Sequence, residues 1–431
     1  MLSEATNMML TQVGPGTRMG DYLRRYWHPV AAASEFRTAG VRPIRVLGED
    51  LVLYRDLSGK FGVLERRCPH RGSDLSYGFV EDCGLRCNYH GWLFGADGQC
   101  LARPYEDVSN LSGRPGSRAA IRSYPVRTHA GLLWVYLGVQ PLPLIPDWEP
   151  FSWKNGFVQV FFAELPCNWL QCQENALDPV HFEWMHLNWS VRQSGRTGPY
   201  SPKHLRIDFE ETDYGFIYKR VTENSSEADD LWTTGRVTLW PNGFYAGEHF
   251  DWHTPMDDGT TLRVTWAFAR VPREQEPYEQ PLPVPAWRGP IKDESGRWLC
   301  ERPSNQDFVA MVGQGTIADR TREHLGASDR GIVMMRKRFL AELDSVAAGL
   351  DAKALRRDVE SNRRVPLPCI DRDIYVNGLP REEMLAHPRV RSVLRAYPFQ
   401  AGEPSEVRAA FETALGLQVP QGNHPGSRSE T

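Results

Sequence analysis

Apolar and polar positions alternate in short runs over the first third of the chain and in longer ones beyond it. Between residues 43 and 64, the runs Pro43-Ile-Arg-Val-Leu, Leu51-Val-Leu-Tyr and Phe61-Gly-Val-Leu are separated by the turn formers Gly48-Glu-Asp and Asp56-Leu-Ser-Gly-Lys. That pattern predicts a β-meander. Trp92-Leu-Phe before Ala96-Asp-Gly predicts a further hairpin, and the apolar run 132–137 a buried strand that closes the unit. Pro141-Leu-Pro-Leu-Ile-Pro-Asp has too much proline for a sheet interior and reads as a stiff linker. Past it, strand-like runs recur at 156–164, 204–209, 215–221, 235–239 and 261–270, with helix-like segments between them. The stretch 168–186 reads as one helix with Trp169, Cys172, Ala176 and Val180 toward the core. Val407, Ala410, Phe411, Ala414 and Leu415 give 406–415 the spacing of an amphipathic helix.

These elements divide the chain into five parts. Residues 1–40 form an N-terminal segment expected to pack on the larger unit, 41–140 a small all-β unit and 141–155 the linker. Residues 156–420 form an α+β unit with a mainly antiparallel sheet, and 421–431 a polar tail expected to be disordered. A length of 431 residues agrees with about two domains of roughly 100–200 residues each, and a hydrophobic share of 41% is enough to give both a core. The net charge of -4 carries no electrostatic footprint for nucleic acid or an acidic membrane surface. No run approaches the roughly 18 apolar residues of a membrane helix. The opening residues lack the basic-then-apolar pattern of a signal peptide, so a cytoplasmic location is expected. In that compartment eight cysteines favour metal binding or buried thiols over disulfides.

Two cysteines stand in short pairs with histidine, Cys68-Pro-His70 and Cys87-Asn-Tyr-His90, with sixteen residues between His70 and Cys87. Each pair offers a thiolate and an imidazole from one tight turn, and two such turns can close on one centre. Gly72 and Gly91 follow closely and are expected to aim backbone amides at the sulfurs. Cys83 and Cys100 fall outside the pattern and read as ordinary thiols. By donor type alone a Cys₂His₂ zinc site fits equally well. The surrounding residues, Cys68-Pro-His-Arg-Gly and Cys87-Asn-Tyr-His-Gly-Trp, closely resemble the two binding loops of Rieske [2Fe–2S] proteins. There two cysteines hold one iron and two histidines the other, which raises the reduction potential.

A second constellation lies at Asn175-Ala-Leu-Asp178-Pro-Val-His181 and His186. A separation of five residues turns about 140° on an ideal helix. Convergence of His181 and His186 on one ion therefore calls for a distorted or ending helix, for which Pro179 supplies a reason. By itself a pair of helical histidines is more often packing than ligation. In context, the segment from Cys167 to His186 resembles the catalytic-iron segment of Rieske oxygenase α subunits, nearest to the phthalate 4,5-dioxygenase-like group. The resemblance runs from about residue 10 to 381. It implies an N-terminal Rieske domain and a C-terminal helix-grip (START-like) catalytic domain. It also implies a mononuclear Fe(II) held by two histidines and one carboxylate, a triad that leaves positions open for dioxygen. Spacing leaves Asp307, Asp319 and Glu323 as candidates for the carboxylate. Residue-by-residue matching to the family points to Asp307, with Asp319 as the alternative. The same matching makes Asp178 a bridge between one subunit's cluster and its neighbour's iron, with Asn175 as a supporting residue.

The resemblance further implies a terminal oxygenase, a mono- or dioxygenase of the EC 1.14 class. It would take electrons from NADH through an FMN/[2Fe–2S] reductase, or through a ferredoxin plus a reductase, and assemble as a homotrimer or hexamer. Its expected reaction is hydroxylation of an aromatic substrate, most simply an aryl carboxylate. The alternative is O-demethylation of a methoxylated, lignin-derived aromatic acid, since one iron site serves either and pocket shape decides. A Rieske electron carrier is a distant alternative, because a carrier needs no second iron site. Arg206, Arg220 and Arg236 lie on predicted strands and are open candidates for a substrate carboxylate. Trp240, Phe244, Phe250 and Trp252 are open candidates for an aromatic pocket, with core packing as the plainer reading.

Overall fold

The computed structural model describes residues 1–109, 120–198, 202–247, 249–281, 283–368 and 401–417. The expected tail at 421–431 lies outside the described residues.

The predicted meander forms as Gly40–Val46, Glu49–Arg55 and Phe61–Glu65, all antiparallel, with Ser123–Tyr124 added beside the third strand. A second four-stranded sheet, Phe79–Glu81, Gly84–Arg86, Leu93–Phe94 and Cys100–Ala102, carries the predicted hairpin. Between the two sheets lies a core of Val52, Tyr54, Leu64, Leu75, Leu85 and Phe94, and Cys68 and Cys87 belong to it. The buried strand Leu132–Tyr136 pairs with Val126–His129 on one side and with Trp27–Ala32 on the other. Residues 27–32 had no strand signal because Pro29 interrupts them; the register shifts between Pro29 and Ala31.

The larger unit is built on one eight-stranded sheet. Its order is His204–Glu211, Gly215–Thr222, Arg236–Leu239, Gly243–Tyr245, His249–Pro255, Thr261–Arg270, Gly156–Leu165 and Ala286–Arg288. Every pairing is antiparallel except the last, where Gly156–Leu165 runs parallel to Ala286–Arg288. The first strand of the unit is therefore inserted between its last two.

Helices close one side of the sheet. The single helix expected over 168–186 is two, Trp169–Asn175 and Val180–Gln193, broken at the residues before Pro179, which disfavours helical backbone at Asp178. An 18-residue helix, Arg330–Ala347, buries Ile332, Met335, Phe339 and Leu343 at spacings of three and four. Phe339 stacks on Trp240 with ring centroids 4.0 Å apart and meets the edge of Trp169 at 5.3 Å. The indole N–H of Trp240 donates to the Tyr22 hydroxyl at 2.6 Å, so the N-terminal helix Arg18–Leu23 is bound into the same core. Trp240 is thus a core residue, and Phe250 and Trp252 stack within the sheet's own aromatic core.

Phe339 is completely buried. Phe339→Ala is expected to cost about 3–5 kcal/mol. The loss should appear as a lower urea midpoint for the larger unit, with the small β unit's visible absorbance still intact at that midpoint.

Candidate functional site

In the small unit, each Cys-His pair sits in a turn closed on itself. The Gly72 amide donates to the Cys68 carbonyl at 2.8 Å and the Cys68 amide to the Ser73 carbonyl at 2.9 Å. The second loop repeats this, with Gly91 N–H to the Cys87 carbonyl at 3.1 Å and Cys87 N–H to the Trp92 carbonyl at 2.8 Å. Gly72 and Gly91 have φ of 73° and 74°, a conformation natural to glycine. Their amides close the turns rather than facing sulfur; the backbone amides of His70 and Arg71 face the Cys68 thiol. The loops are braced from behind. Arg66 grips Asp74 at 2.6 Å, and Arg86 pairs with Glu81 while donating to the Gly91 carbonyl at 2.6 Å.

A gradient of burial runs through the four donors. Cys68 and Cys87 are each 2% exposed, His70 is half-buried, and His90 is exposed. The imidazole centroids are 4.5 Å apart, and His70 stacks on Trp92 at 4.7 Å. Burial, with Cys87 close by, pushes the Cys68 thiol up to about 11. His70 Nδ1 is buried without a hydrogen-bond partner among the described residues. Two crowded inner thiols and two converging outer imidazoles, one with an orphaned nitrogen, fit a centre with a soft, sulfur-bound inner half and an imidazole-bound outer half. Cys100 is buried with its thiol directed at the Ala102 carbonyl, and Cys83 is exposed; neither joins the donors.

The second constellation assembles from two helices. His181 Nε2 and His186 Nε2 each lie 3.5 Å from the same oxygen, Oδ1 of Asp307, on the helix Pro303–Val312. The three form a group that could hold a single metal ion, with donor atoms within 4.8 Å of one another. Both histidines stand on one unbroken helix, so the expected distortion between them is absent. The break comes before His181, and side-chain reach brings the rings to 5.6 Å. Asp319 is not brought in: it is exposed in a turn and accepts from Thr321 N–H and hydroxyl. Glu323 pairs with Arg336.

Each of the three side chains has a polar neighbour outside the group. His186 Nδ1 meets Gln306 Oε1 at 2.8 Å; the amide oxygen can only accept, so Nδ1 carries a proton, and Nε2 faces Asp307. Gln306 is itself fixed by its Nε2, which donates to the Cys300 carbonyl at 3.0 Å. His181 Nδ1 lies 3.5 Å from Asp178 Oδ2, while Asp178 Oδ1 accepts from the N–H of Val180, the first residue of the helix, at 2.7 Å. Asn175 Nδ2 reaches Asp307 Oδ1 at 3.4 Å. Burial opposes a charge on His181, yet Asp178 and Asp307 outweigh it and lift the imidazole to about 9. Burial likewise opposes charge on Asp307, but His186, His181 and Arg263 hold its carboxyl below the usual range. Two acids around two imidazoles favour positive charge at this place, and a metal cation can supply it in place of the imidazole proton.

Sequence reasoning missed the groups that place these ligands. Gln171 donates to the Met311 and Gly315 carbonyls at 2.8 and 2.9 Å, and accepts from Ala318 N–H at 2.8 Å. Gln173 donates to the Leu239 and Gly243 carbonyls at 3.1 and 3.2 Å. Glu174 is clamped between Arg320 and Arg336. The available signal was a short helix dense in amides and acids between apolar residues. Glu183, on the ligand helix, is buried against Arg220 at 2.5 Å and His204 at 2.9 Å. Arg206 is exposed and paired with Glu227. Arg236 is 5% exposed, with its guanidinium 3.6 Å from the Phe182 ring centroid, and burial pulls it below its ordinary range.

Comparison with known proteins supplies the context. Residues 26–125 match the Rieske [2Fe-2S] domain family. The chain is 54% identical over 417 residues to a 5,5'-dehydrodivanillate O-demethylase oxygenase subunit of Sphingobium sp. (strain NBRC 103272 / SYK-6), covering 97% of this chain and 98% of that one. It is 31% identical to the phthalate 4,5-dioxygenase oxygenase subunit of Pseudomonas putida, covering 82% of this chain and 88% of that one. Among solved structures, Pseudomonas putida CBB5 NdmA superposes with a TM-score of 0.52 at 19% identity, covering 82% of this chain and 98% of that one, and shares the fold.

Gln306→Leu removes the acceptor that fixes the His186 tautomer. Metal affinity at His181, His186 and Asp307 should fall by about 10–100-fold. Elemental analysis after dialysis against a chelator should find the iron of this site gone, while the visible spectrum of the small unit stays unchanged.

Proposed function

The chain belongs to the Rieske non-haem iron oxygenases, as a terminal oxygenase that carries a [2Fe–2S] cluster and a mononuclear iron, and from that premise we propose that it demethylates an aryl methyl ether of an aromatic acid. The observation that carries this reading is the 54% identity, along nearly the whole of both chains, with an O-demethylase oxygenase subunit. Identity with the phthalate ring dioxygenase subunit is 31%. Ring hydroxylation of an aryl carboxylate is the second reading.

Cys68 and Cys87 would hold the inner iron of the cluster, and His70 and His90 the outer. His181, His186 and Asp307 would hold the mononuclear iron. When bound, the cluster delivers single electrons and the ferrous ion offers open positions to dioxygen. The chain's own residues do the rest. Gln306 keeps the proton of His186 on Nδ1, and Asn175 restrains Asp307. Asp178 lies against His181 and keeps its side chain 35% exposed, so it can also meet a group from outside this chain. His90 is exposed at the tip of the small unit. Large apolar side chains are exposed at both places: Tyr77, Phe79 and Tyr89 near the tip, Trp184, Leu187 and Trp189 on the ligand helix. These features support a homotrimer, or a pair of trimers, in which one copy's His90 docks beside its neighbour's Asp178.

The overall reaction balances as ArOCH₃ + O₂ + NADH + H⁺ → ArOH + HCHO + NAD⁺ + H₂O. One oxygen atom enters the methyl C–H bond, and the resulting hemiacetal releases formaldehyde and the phenol. Rieske oxygenases receive the NADH electrons through a redox partner, here proposed to be an FMN/[2Fe–2S] reductase, with a ferredoxin plus reductase as the alternative. No described helix is long and apolar enough to cross a membrane. The seven described cysteines are free, and the cytoplasm is the proposed compartment.

The test supplies a surrogate reductase, NADH and 5,5'-dehydrodivanillate. Formaldehyde equal to the phenol formed is the expected result; a cis-dihydrodiol from phthalate would favour the second reading instead. Asp178→Asn should retain both metals yet slow substrate-dependent reoxidation of the reduced cluster by about 100-fold or more in stopped flow. An unchanged rate would remove Asp178 from the bridge.

A further inference from the structure

The arginines around the four donors of the small unit differ in how fully their charge is met. Arg66 donates to both oxygens of Asp74, at 2.6 Å through Nη2 and at 2.9 and 3.0 Å through Nε. Arg86 likewise donates to both oxygens of Glu81. Forked pairs of this kind leave little net charge behind. Arg67 and Arg71 are exposed, where water and salt screen them. Arg103 differs from these. Its side chain is 12% exposed, its Nη2 meets Asp107 Oδ1 at 3.3 Å, and its Nε is buried without a hydrogen-bond partner. The Asp107 side chain lies farther out, 32% exposed, and its other oxygen accepts from the Arg103 backbone N–H at 2.6 Å. A guanidinium so loosely paired keeps much of its field on the protein side.

Packing fixes that charge against the cluster loops. The guanidinium lies 5.9 Å from the Trp92 ring centroid, and Trp92 stacks on His70 with centroids 4.7 Å apart and planes 5° from parallel. Pro104 follows and presses on the second loop: a Cβ on Gly91 would come within 3.0 Å of its Cγ. A single indole thus covers one ligand imidazole and carries the guanidinium. We propose that Arg103, held on Trp92, raises the reduction potential of the cluster. In the step concerned, one electron passes from the redox partner to the cluster and no bond is made or broken. The cluster gains one negative charge, which a fixed cation nearby stabilises. At about 10 Å and an effective dielectric of about 20, one charge is worth about tenfold in such an equilibrium. Asp107 acts in the opposite sense and offsets part of this. The inference rests on the assignment of Cys68, His70, Cys87 and His90 to the cluster.

The test is a reductive titration of the anaerobic holoenzyme, followed by the visible spectrum and by EPR. Arg103→Gln should lower the one-electron reduction constant by about fivefold or more, or about 40 mV, because Asp107 is then left to act alone. Asp107→Asn keeps an acceptor for the Arg103 N–H and should raise the constant by about twofold or more. Arg103→Lys keeps the charge and should stay within about twofold of the wild type. A loop that was merely disturbed would shift Arg103→Gln and Asp107→Asn in the same direction, and lysine would not restore the value. If Arg103→Gln loses the cluster, judged by its visible spectrum, Asp107→Asn decides: a rise upholds the proposal and no rise overturns it. An unchanged constant in Arg103→Gln, a fall in Asp107→Asn, or a lysine variant as low as the glutamine one also overturns it. A wild type without the EPR signal of a cluster with mixed sulfur and nitrogen ligands would defeat the ligand assignment instead.

Discussion

The proposed mononuclear-metal site depends on one short helix whose polar side chains are buried and saturated. Trp169–Asn175 carries Gln171, Gln173 and Glu174, and none of their hydrogen bonds serves the helix itself. They reach the carbonyls that end Pro303–Val312, the sheet backbone at Leu239 and Gly243, and two arginines from the far side of the core. Asn168, just before the helix, adds bonds to the Thr11 and Asp258 carbonyls at 2.9 and 2.7 Å. A buried amide tolerates little displacement, because a broken bond leaves a desolvated donor without a partner. Helix, sheet and the Asp307 helix are thereby held in one register. His181 and His186 follow a few residues later and inherit that register, so their meeting with Asp307 needs no distortion of their own helix.

This also explains which parts of the molecule were legible beforehand. The strands 43–64, 132–137 and 261–270 could be read because their apolar runs are bounded by turn residues, and they form within three residues of the reading. Cys68, His70, Cys87 and His90 could be read because a ligand loop is local: donors and turn formers lie within a few residues of each other. Asp307 lies more than a hundred residues from His181, and only likeness to a family singled it out from Asp319 and Glu323. Gln306 had no signal, and Gln171 and Gln173 only that of a short helix dense in polar residues. A buried glutamine and a solvent-facing one look alike in sequence, and the difference is made by partners far along the chain.

Charge is arranged by the same logic of distant partners. Glu183 and Arg220 neutralise one another beneath the ligand helix, with His204 sharing the carboxylate. Asp251 and Arg263 do so within the sheet at 2.5 Å, and Arg263 packs over Phe308 on the Asp307 helix. Pairs of this kind add little net stability, but breaking one leaves a buried charge exposed to a low dielectric. They act as fixed posts. Arg236, in the same buried layer, lies over the Phe182 ring and is hydrogen-bonded to Tyr218.

The two ligand imidazoles are also treated differently. His186 is buried, and its outer nitrogen meets the neutral amide of Gln306, which fixes a tautomer and carries no charge onward. His181 faces a carboxylate, and that carboxylate remains partly open to solvent. A neutral, enclosed partner suits a ligand that only holds the ion. An anionic, reachable partner suits a ligand through which a second centre can act, because a group docking on Asp178 changes the field at His181 directly and at His186 only through the ion. The exposed His90 edge on the small unit is the half we propose for such a contact. Asymmetry between two chemically identical ligands is thus built from their partners, and it gives the proposed path between the two centres its direction through His181.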